Sequence, residues 1–222
     1  MNDYVIIAAG GVGARMNSTV PKQFIVIHHR PIIFHTIQKF VSAIPAVNVI
    51  VVLPFDQFEH WNKLCRNYNF NYPCQLAKGG KTRFDSVKSG LELIKEDGGV
   101  VGVHDAVRPL VSETLIKQAY KTAKERGSAI PVVELKDSIR EVSDVDSKHI
   151  DRIKFRLVQT PQCFSTALIK RAYNQPYHPN VTDDATLVER LGEYINLIDG
   201  EEFNIKITTP FDLKVAETLL VN

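Results

Sequence analysis

The sequence predicts a three-layer α/β fold, in which a mostly parallel sheet carries helices on both faces. Short apolar runs alternate along the chain with segments in which apolar residues recur at helical spacing. Several of these runs are apolar throughout, as in strands that are buried on both faces of a parallel sheet. The 222 residues are 44% hydrophobic and 23% charged, which is enough to bury one substantial core.

The first half of the chain is predicted as four strand and helix units. The first apolar run ends in glycines, and Pro54 closes the second run. Ser112 and Gly127 are residue types that begin and end a helix. The predicted strands are residues 4–9, 47–53, 75–78 and 100–104, and the predicted helices are residues 31–41, 55–68, 82–94 and 112–126. This alternation favours an open, mostly parallel sheet.

The second half contains a segment of different character. Residues 134–152 are polar and charged and lack helical periodicity. We predict that they form an inserted β-arm in a single domain of residues 1–222, because no linker, repeat or low-complexity segment divides the chain. The other predicted elements are strands at residues 130–133, 195–198 and 205–207, a return to the body of the fold at residues 155–162, and helices at residues 166–173, 183–191 and 210–220.

Composition excludes several classes of protein. The 27 basic and 25 acidic residues leave a net charge of +2, too balanced to predict binding to nucleic acid or to an anionic membrane. The three cysteines form no Cys-x-x-Cys pair, which argues against a disulfide framework or a structural zinc site. The N-terminus lacks the features of a signal peptide, and no apolar run approaches the ~20 residues of a membrane span. We therefore expect a cytoplasmic protein.

A glycine-rich loop follows the first predicted strand, from residue 10 to residue 22. Glycines let backbone N–H groups approach an anion closely, and Arg15 and Lys22 can neutralise phosphate charge. A dinucleotide-binding loop is excluded because Met16 stands where the third glycine would be, and this loop lacks the Gly-Lys-Ser/Thr of a kinase-type P-loop. The loop indicates a nucleotide phosphate site, and the simpler alternative is a glycine turn with a solvated arginine and lysine.

A second motif, His-Asp-Ala-Val-Arg-Pro, occupies residues 104–109 at the end of a predicted strand. The carboxyl ends of strands line the ligand crevice in open α/β sheets. Asp105 is therefore placed to bind a metal ion that is also coordinated by phosphates. Mg²⁺ is the natural candidate. The alternative is that Asp105 caps the next helix and Arg108 pairs with it.

Further along the chain lie short motifs that are weak individually. Gly79 and Gly80 allow close approach of a ligand to the backbone, and Ser86 can hydrogen-bond a base or ribose, although these residues also suit an ordinary helix start. Asp-Arg at residues 151–152, Thr-Pro-Gln at 160–162, Thr-Asp-Asp-Ala at 182–185 and Asn-Ile-Lys at 204–206 could each be solvated or capping residues. Their order along the chain is more informative than any one of them.

In that order, the motifs resemble those of the 2-C-methyl-D-erythritol 4-phosphate cytidylyltransferases of the non-mevalonate isoprenoid pathway. The resemblance covers essentially the whole chain. The ribitol-5-phosphate cytidylyltransferases are similar in several of the same motifs, but Ser86 and the Thr-Asp-Asp-Ala-Thr stretch at residues 182–186 favour the erythritol family. The sequence departs from the family at His28-His29, where a glycine is common, and at Phe203, where some members have Asp.

The resemblance implies a Rossmann-like enzyme that joins CTP to the alcohol phosphate 2-C-methyl-D-erythritol 4-phosphate and releases pyrophosphate, with Mg²⁺ as cofactor. Such a reaction needs positioning and charge stabilisation rather than a covalent nucleophile. The resemblance also implies a homodimer, in which the arm of residues 134–152 crosses to the second subunit. The residues it implies are Arg15, Lys22 and Lys206 for catalysis; Ala9, Gly10, Gly11, Gly13, Gly80, Ser86 and Asp105 for CTP, with Asp105 also contacting Mg²⁺; and Arg108, Arg152, Thr160 and Thr182 for the alcohol phosphate.

Three other functions are alternatives at this point. The first is a cytidylyltransferase for ribitol 5-phosphate or another sugar phosphate. The second, a nicotinamide-dependent oxidoreductase, is disfavoured because Leu53-Pro54 stands where an acidic residue should end the second strand. The third, a non-enzymatic nucleotide-binding module, would not need Lys22 or Lys206.

Overall fold

The computed structural model describes residues 2–10 and 20–220. Its strands are β1 (Tyr4–Ala8), β2 (Val26–Ile27), β3 (Arg30–Pro31), β4 (Asn48–Leu53), β5 (Cys74–Lys78), β6 (Val100–Asp105), β7 (Ser128–Glu134), β8 (Ile139–Val142), β9 (Ser147–Ile150), β10 (Arg156–Val158), β11 (Gln162–Ser165) and β12 (Leu197–Asp199). Its helices are α1 (Ile32–Ala43), α2 (Phe58–Asn67), α3 (Arg83–Glu92), α4 (Glu113–Arg126), α5 (Thr166–Tyr173), α6 (Asp184–Glu189) and α7 (Pro210–Leu219).

In the described residues, eight of these strands form one mostly parallel sheet. Its order is β5-β4-β1-β6-β11-β7, and β10 and β12 also pair with β7. β1 is parallel to both β4 and β6, whereas β11 is antiparallel to both β6 and β7. The mostly parallel α/β sheet expected from the sequence is confirmed.

Apolar side chains cover both faces of the sheet, which explains the uninterrupted apolar runs. On one face, residues such as Val5 and Val51 pack with Phe40 of α1 and Ile116 of α4. On the other face, Ile6 and its neighbours in the sheet pack with α3, α5 and α6. The molecule therefore has the three layers that the sequence predicts.

Helix ends in the structure match the residue types that predicted them. Ser112 caps α4 by accepting a hydrogen bond from Leu115 N at 3.0 Å, and Gly127 ends the helix in the left-handed conformation, at φ 88°. Pro210 is the first residue of α7. None of the helices described is long and apolar enough to cross a membrane.

Three details of the chain differ from the sequence-based prediction. The expected strand at residues 205–207 is wrong: Ile207 N bonds to Val107 O at 2.9 Å, so this segment lies against the loop after β6 instead of joining the sheet. The helix expected from residue 55 begins as a 3-10 turn, Phe55–Gln57, before α2. Residues 155–162 contain β10 and then a cis peptide bond between Thr160 and Pro161 that precedes β11.

Two small antiparallel hairpins stand apart from the main sheet. β2 and β3 form the first, and the turn between them consists of His28 at φ 42° and His29 at φ 62°. His28 and His29, at the place where a glycine is common in the family, therefore adopt a left-handed turn without glycine. β8 and β9 form the second hairpin, within the polar segment predicted as an arm.

Candidate active site

A cleft of about 330 Å³ opens at the edge of the sheet where the parallel strands end. β1 lies between β4 and β6, and the chain adds strands on opposite sides of β1, which is the switch point where open α/β sheets bind ligands. The described lining carries four basic side chains and one carboxylate, a balance that suits a polyanion. The lining residues are Ala8, Ala9, Gly10, Lys22, Gln23, Gly80, Lys81, Thr82, Arg83, Ser86, Asp105, Ala106, Val107 and Lys206.

The structure brings together many of the residues proposed from the sequence. Arg108 and Thr160 contact Asp105 directly. Arg152 and Thr182 are exposed and do not line the cleft, and Arg152 Nη1 donates to the carbonyl oxygen of Lys136 at the base of the arm. Gly11, Gly13 and Arg15 lie outside the described residues, so their roles stay predictions. The proposed residues that line the cleft are Ala9, Gly10, Lys22, Gly80, Ser86, Asp105 and Lys206.

The two described ends of the glycine-rich loop are joined by Gln23. Its amide Nε2 donates to Ala9 O at 2.9 Å and to Gln57 Oε1 at 3.1 Å, and the side chain is buried. Ala9 N in turn donates to Val52 O, at 3.0 Å. Lys22 begins the 3-10 turn that contains Gln23, so these bonds also hold the backbone of Lys22 at the cleft. Buried, fully used amide donors of this kind hold Ala9 and Gln23, the residues that flank the loop, because leaving such donors unpaired is costly.

The start of α3 forms another wall of the cleft. Thr82 and Asp85 make a capping box, and Ser86 Oγ accepts from Gly80 N at 3.1 Å while donating to Thr82 O at 2.9 Å. A Cβ atom on Gly80 would lie 2.2 Å from Cβ of Asp85, so only glycine fits at this position. A Cβ on Gly10 would lie 3.4 Å from Ser86 Oγ, which shows how closely the glycine loop and α3 approach each other.

Asp105 is the charged centre of the cleft. Its carboxylate accepts from Arg108 Nε at 3.0 Å and from Lys206 Nζ at 3.2 Å. Burial alone would raise the pKa of Asp105, but Lys206, Arg108 and Arg83 outweigh burial and hold the pKa well below its usual range. The carboxylate therefore stays ionised, and it holds the Lys206 ammonium at the cleft.

A buried hydrogen-bond chain supports Asp105 from behind. Asp105 N donates to Thr160 Oγ1 at 3.1 Å, Thr160 Oγ1 lies 3.0 Å from His104 Nδ1, and His104 Nε2 lies 3.2 Å from Arg108 O. Burial lowers the pKa of His104 to about 3, against the opposing charge of Asp105. The ring is thus neutral, with Nε2–H donating to Arg108 and Nδ1 accepting from the Thr160 hydroxyl.

The segment that carries Lys206 is anchored by side-chain amides. Arg108 Nη1 donates to Asn204 O at 2.7 Å, and Asn204 Nδ2 donates to Thr160 O at 2.9 Å. Gln159 Nε2 donates to Glu201 O at 2.8 Å. These bonds replace the sheet pairing that was expected for residues 205–207.

Several functional candidates were missed by sequence reasoning. Gln23 and His104 lie inside motifs that were noted, but nothing in the sequence indicates which partners their side chains have. Asp184 bonds to Arg83 from 101 positions away. Only the folded chain shows these contacts.

Comparison with known proteins identifies the family of this chain. A family model described as IspD, 2-C-methyl-D-erythritol 4-phosphate cytidylyltransferase, matches residues 4–222. The chain is 44% identical over 220 residues to the 2-C-methyl-D-erythritol 4-phosphate cytidylyltransferase of Bacteroides thetaiotaomicron, covering 99% of this chain and 100% of that protein. The same coverage and identity hold for the protein of that name from Phocaeicola vulgatus.

Solved structures agree in fold as well. The crystal structure of the Francisella tularensis 2-C-methyl-D-erythritol 4-phosphate cytidylyltransferase superimposes with a TM-score of 0.82 at 30% identity, covering 99% of this chain and all of that one. A 4-diphosphocytidyl-2C-methyl-D-erythritol synthase from Anaerococcus prevotii has a TM-score of 0.83 at 26% identity, covering 100% of this chain and 96% of that one. The chain therefore belongs to the 2-C-methyl-D-erythritol 4-phosphate cytidylyltransferase family.

Proposed function

We propose that the cleft binds CTP with its triphosphate between Lys22 and Lys206 and its cytidine against Ala9, Gly10, Gly80 and Ser86. The reaction of the family is cytidylyl transfer to 2-C-methyl-D-erythritol 4-phosphate, and the whole-chain match supports this acceptor over ribitol 5-phosphate. The observation that carries the proposal is a cleft at the switch point of the sheet, which has glycine backbone on one side and a lysine held by a buried carboxylate on the other.

The chemistry requires two polyanions to approach each other. An oxygen of the acceptor phosphate attacks the α-phosphorus of CTP, the bond from that phosphorus to the bridging oxygen breaks, and pyrophosphate leaves with the electron pair. Lys22 and Lys206, together with Arg15, would offset the negative charge that gathers around the α-phosphorus. Asp105 contributes by holding Lys206 in place before the substrates arrive.

Mg²⁺ is the cofactor that this site suits. Proteins commonly hold Mg²⁺ by one or two carboxylates together with substrate phosphates, and Asp105 is an ionised carboxylate in the lining of the cleft. Among the described residues no cluster of three or more potential ligands occurs, so the phosphates would complete the coordination. When bound, the ion would neutralise phosphate charge.

The acceptor is proposed to contact Arg108, Arg152, Thr160 and Thr182. In its own chain Arg152 lies at the arm, outside the cleft, so the proposal places it in the site of a second subunit. Exposed apolar side chains on the arm and in residues 153–158 support a homodimer, because large exposed apolar surfaces often mark contacts between proteins. They are Val142, Ile153, Phe155, Leu157 and Val158.

The proposed compartment is the cytoplasm. Cys65, Cys74 and Cys163 are all free thiols, and burial raises the pKa of Cys163 well above its ordinary value. Free, unreactive thiols are typical of a reducing compartment.

A pyrophosphate-release assay tests the proposed function. We expect release with CTP and 2-C-methyl-D-erythritol 4-phosphate in the presence of Mg²⁺, and little release when ATP or UTP replaces CTP. Ribitol 5-phosphate serves as the control acceptor. Equal release with ribitol 5-phosphate, or none with the erythritol phosphate, would overturn the acceptor assignment.

A further inference from the structure

Arg83 belongs to the wall of the cleft, yet its guanidinium is engaged by a carboxylate from a distant part of the chain. Arg83 Nη1 and Nη2 donate to the two oxygens of Asp184, at 2.8 and 2.6 Å. The side chain of Asp184 has no exposed surface, and Tyr173 Oη donates a further hydrogen bond to it at 2.5 Å. A bidentate arginine–carboxylate pair fixes both distance and orientation.

The same hydrogen bonds also hold the two ends of the segment that carries Thr182 in place. Residues 174–183 contain no helix or strand, so the segment is positioned by the elements on either side of it. Tyr173 is the last residue of α5 and Asp184 is the first residue of α6, and the two bond to each other. The ends of the segment are therefore joined directly, and Arg83 connects that junction to the start of α3.

β11 contributes a second attachment at the same place. Gln162 Oε1 accepts from the backbone N–H groups of Asp184 and Ala185, at 3.1 and 2.9 Å. Gln162 Nε2 donates to Asp183 Oδ2 at 3.0 Å. The Thr182 segment is thus held to the strand that follows Thr160 as well as to α3.

We propose that the Arg83–Asp184 pair is a positioning device, which sets the acceptor-binding segment around Thr182 against the nucleotide wall around Ser86. Because Asp184 is inaccessible, it acts through Arg83 and α6 and not by touching either substrate. This inference rests on the acceptor role proposed for Thr182. Its consequence is that damage to the pair weakens use of the alcohol phosphate while use of CTP is retained.

Steady-state kinetics of two variants test this role. Asp184→Asn keeps the shape of the side chain and removes its charge, and Arg83→Lys keeps the charge and removes the bidentate geometry. For Asp184→Asn we expect KM for methylerythritol phosphate to rise about tenfold while KM for CTP stays within about twofold, and for Arg83→Lys we expect the same rise in KM for methylerythritol phosphate. Lys170→Met is the matched control, since it removes the 2.7 Å ion pair to Asp97 near the opposite edge of the sheet and should change neither KM.

Tyr173→Phe keeps the test decisive if Asp184→Asn does not fold. It removes one hydrogen bond to Asp184 and leaves the ion pair in place, so a smaller rise in the same KM is expected. A raised KM for CTP in Arg83→Lys with unchanged constants in Asp184→Asn would show that Arg83 binds the nucleotide itself, against the proposal. A lower melting temperature with both KM values unchanged in every folded variant would also overturn it. Wild-type protein in the same assay separates these outcomes from failure of the proposed function, which would abolish its pyrophosphate release.

Discussion

His104 shows how one buried residue makes the wall of the cleft sensitive to acid. Both ring nitrogens are used, one by Thr160 and one by the carbonyl oxygen of Arg108, and this arrangement requires a neutral ring. Burial lowers the pKa of His104 from 6.5 to about 3. The folded protein therefore resists a protonation that the unfolded chain accepts in mild acid.

The pKa of His104 predicts the pH dependence of stability. Because its folded pKa is depressed, its contribution is fully present above pH 6.5 and is lost as the pH falls toward about 3. The contribution of His104 to the free energy of unfolding should fall by about 1 kcal/mol per pH unit on average between about pH 7 and about pH 5, approaching about 1.4 kcal/mol per unit well below pH 6.5. Urea unfolding between about pH 7 and about pH 5 measures this slope, above the range where Asp105, with an ordinary pKa of 3.8, titrates in the unfolded chain.

The control for this prediction is His104→Gln, which offers a donor and an acceptor but does not titrate. We expect its unfolding free energy to depend less steeply on pH over the same interval. A slope equal to that of the wild type would contradict the assignment of the effect to His104.

At the scale of secondary structure, some elements are predictable from sequence and others are not. β1, β4 and β6 were predicted because their apolar runs are long and buried on both faces. β2 and β3 were missed because strands of two residues carry no periodicity. The prediction of a strand at residues 205–207 was wrong because the alternation of Ile205 and Ile207 resembles a strand pattern. In the structure the neighbouring Asn204 instead donates a hydrogen bond to Thr160 O.

The turn between β2 and β3 predicts a stabilising substitution. His29 has φ 62°, a conformation that favours glycine, and it occupies the second position of a two-residue hairpin turn, where glycine is preferred. His29→Gly should raise the free energy of unfolding by about 0.5 to 1 kcal/mol, since relief of backbone strain exceeds the added flexibility of the unfolded chain. The midpoint of urea unfolding measures the effect. An unchanged or lower midpoint would show that the turn carries no such strain.

At the scale of the whole molecule, the order of the motifs selected residues that meet in one cleft, whereas the contacts among their side chains could not be predicted. Lys22, Ser86, Asp105 and Lys206 were selected from separate motifs, and they meet in one cleft because their segments all reach the same edge of the sheet. The bonds from Gln23 to Ala9 and from Arg83 to Asp184 depend on side-chain orientation in the folded chain. No local pattern encodes such partners.

If the enzyme is a homodimer with shared sites, mixing two inactive variants should restore activity, which a monomeric enzyme could not do. If Arg152 completes the site of the other subunit, a mixture of the inactive variants Lys22→Ala and Arg152→Ala will contain hybrid dimers with one intact site. With equal amounts and full exchange, activity should recover to about a quarter of the wild-type value. Absence of recovery, with subunit exchange demonstrated independently, would contradict a shared site.

The central claim is that lysines of this cleft stabilise attack on the α-phosphorus of CTP, and the turnover of Lys22→Ala tests it most directly. Lys78→Ala is the control, because Lys78 lies near the same edge with its ammonium 5.6 Å from the ring centroid of Phe55, outside the described lining of the cleft. Loss of a preorganised charge costs about 3 kcal/mol, so kcat with CTP and methylerythritol phosphate should fall by about 100-fold or more in Lys22→Ala. It should change little in Lys78→Ala. A folded Lys22→Ala protein with kcat close to the wild-type value would contradict the claim.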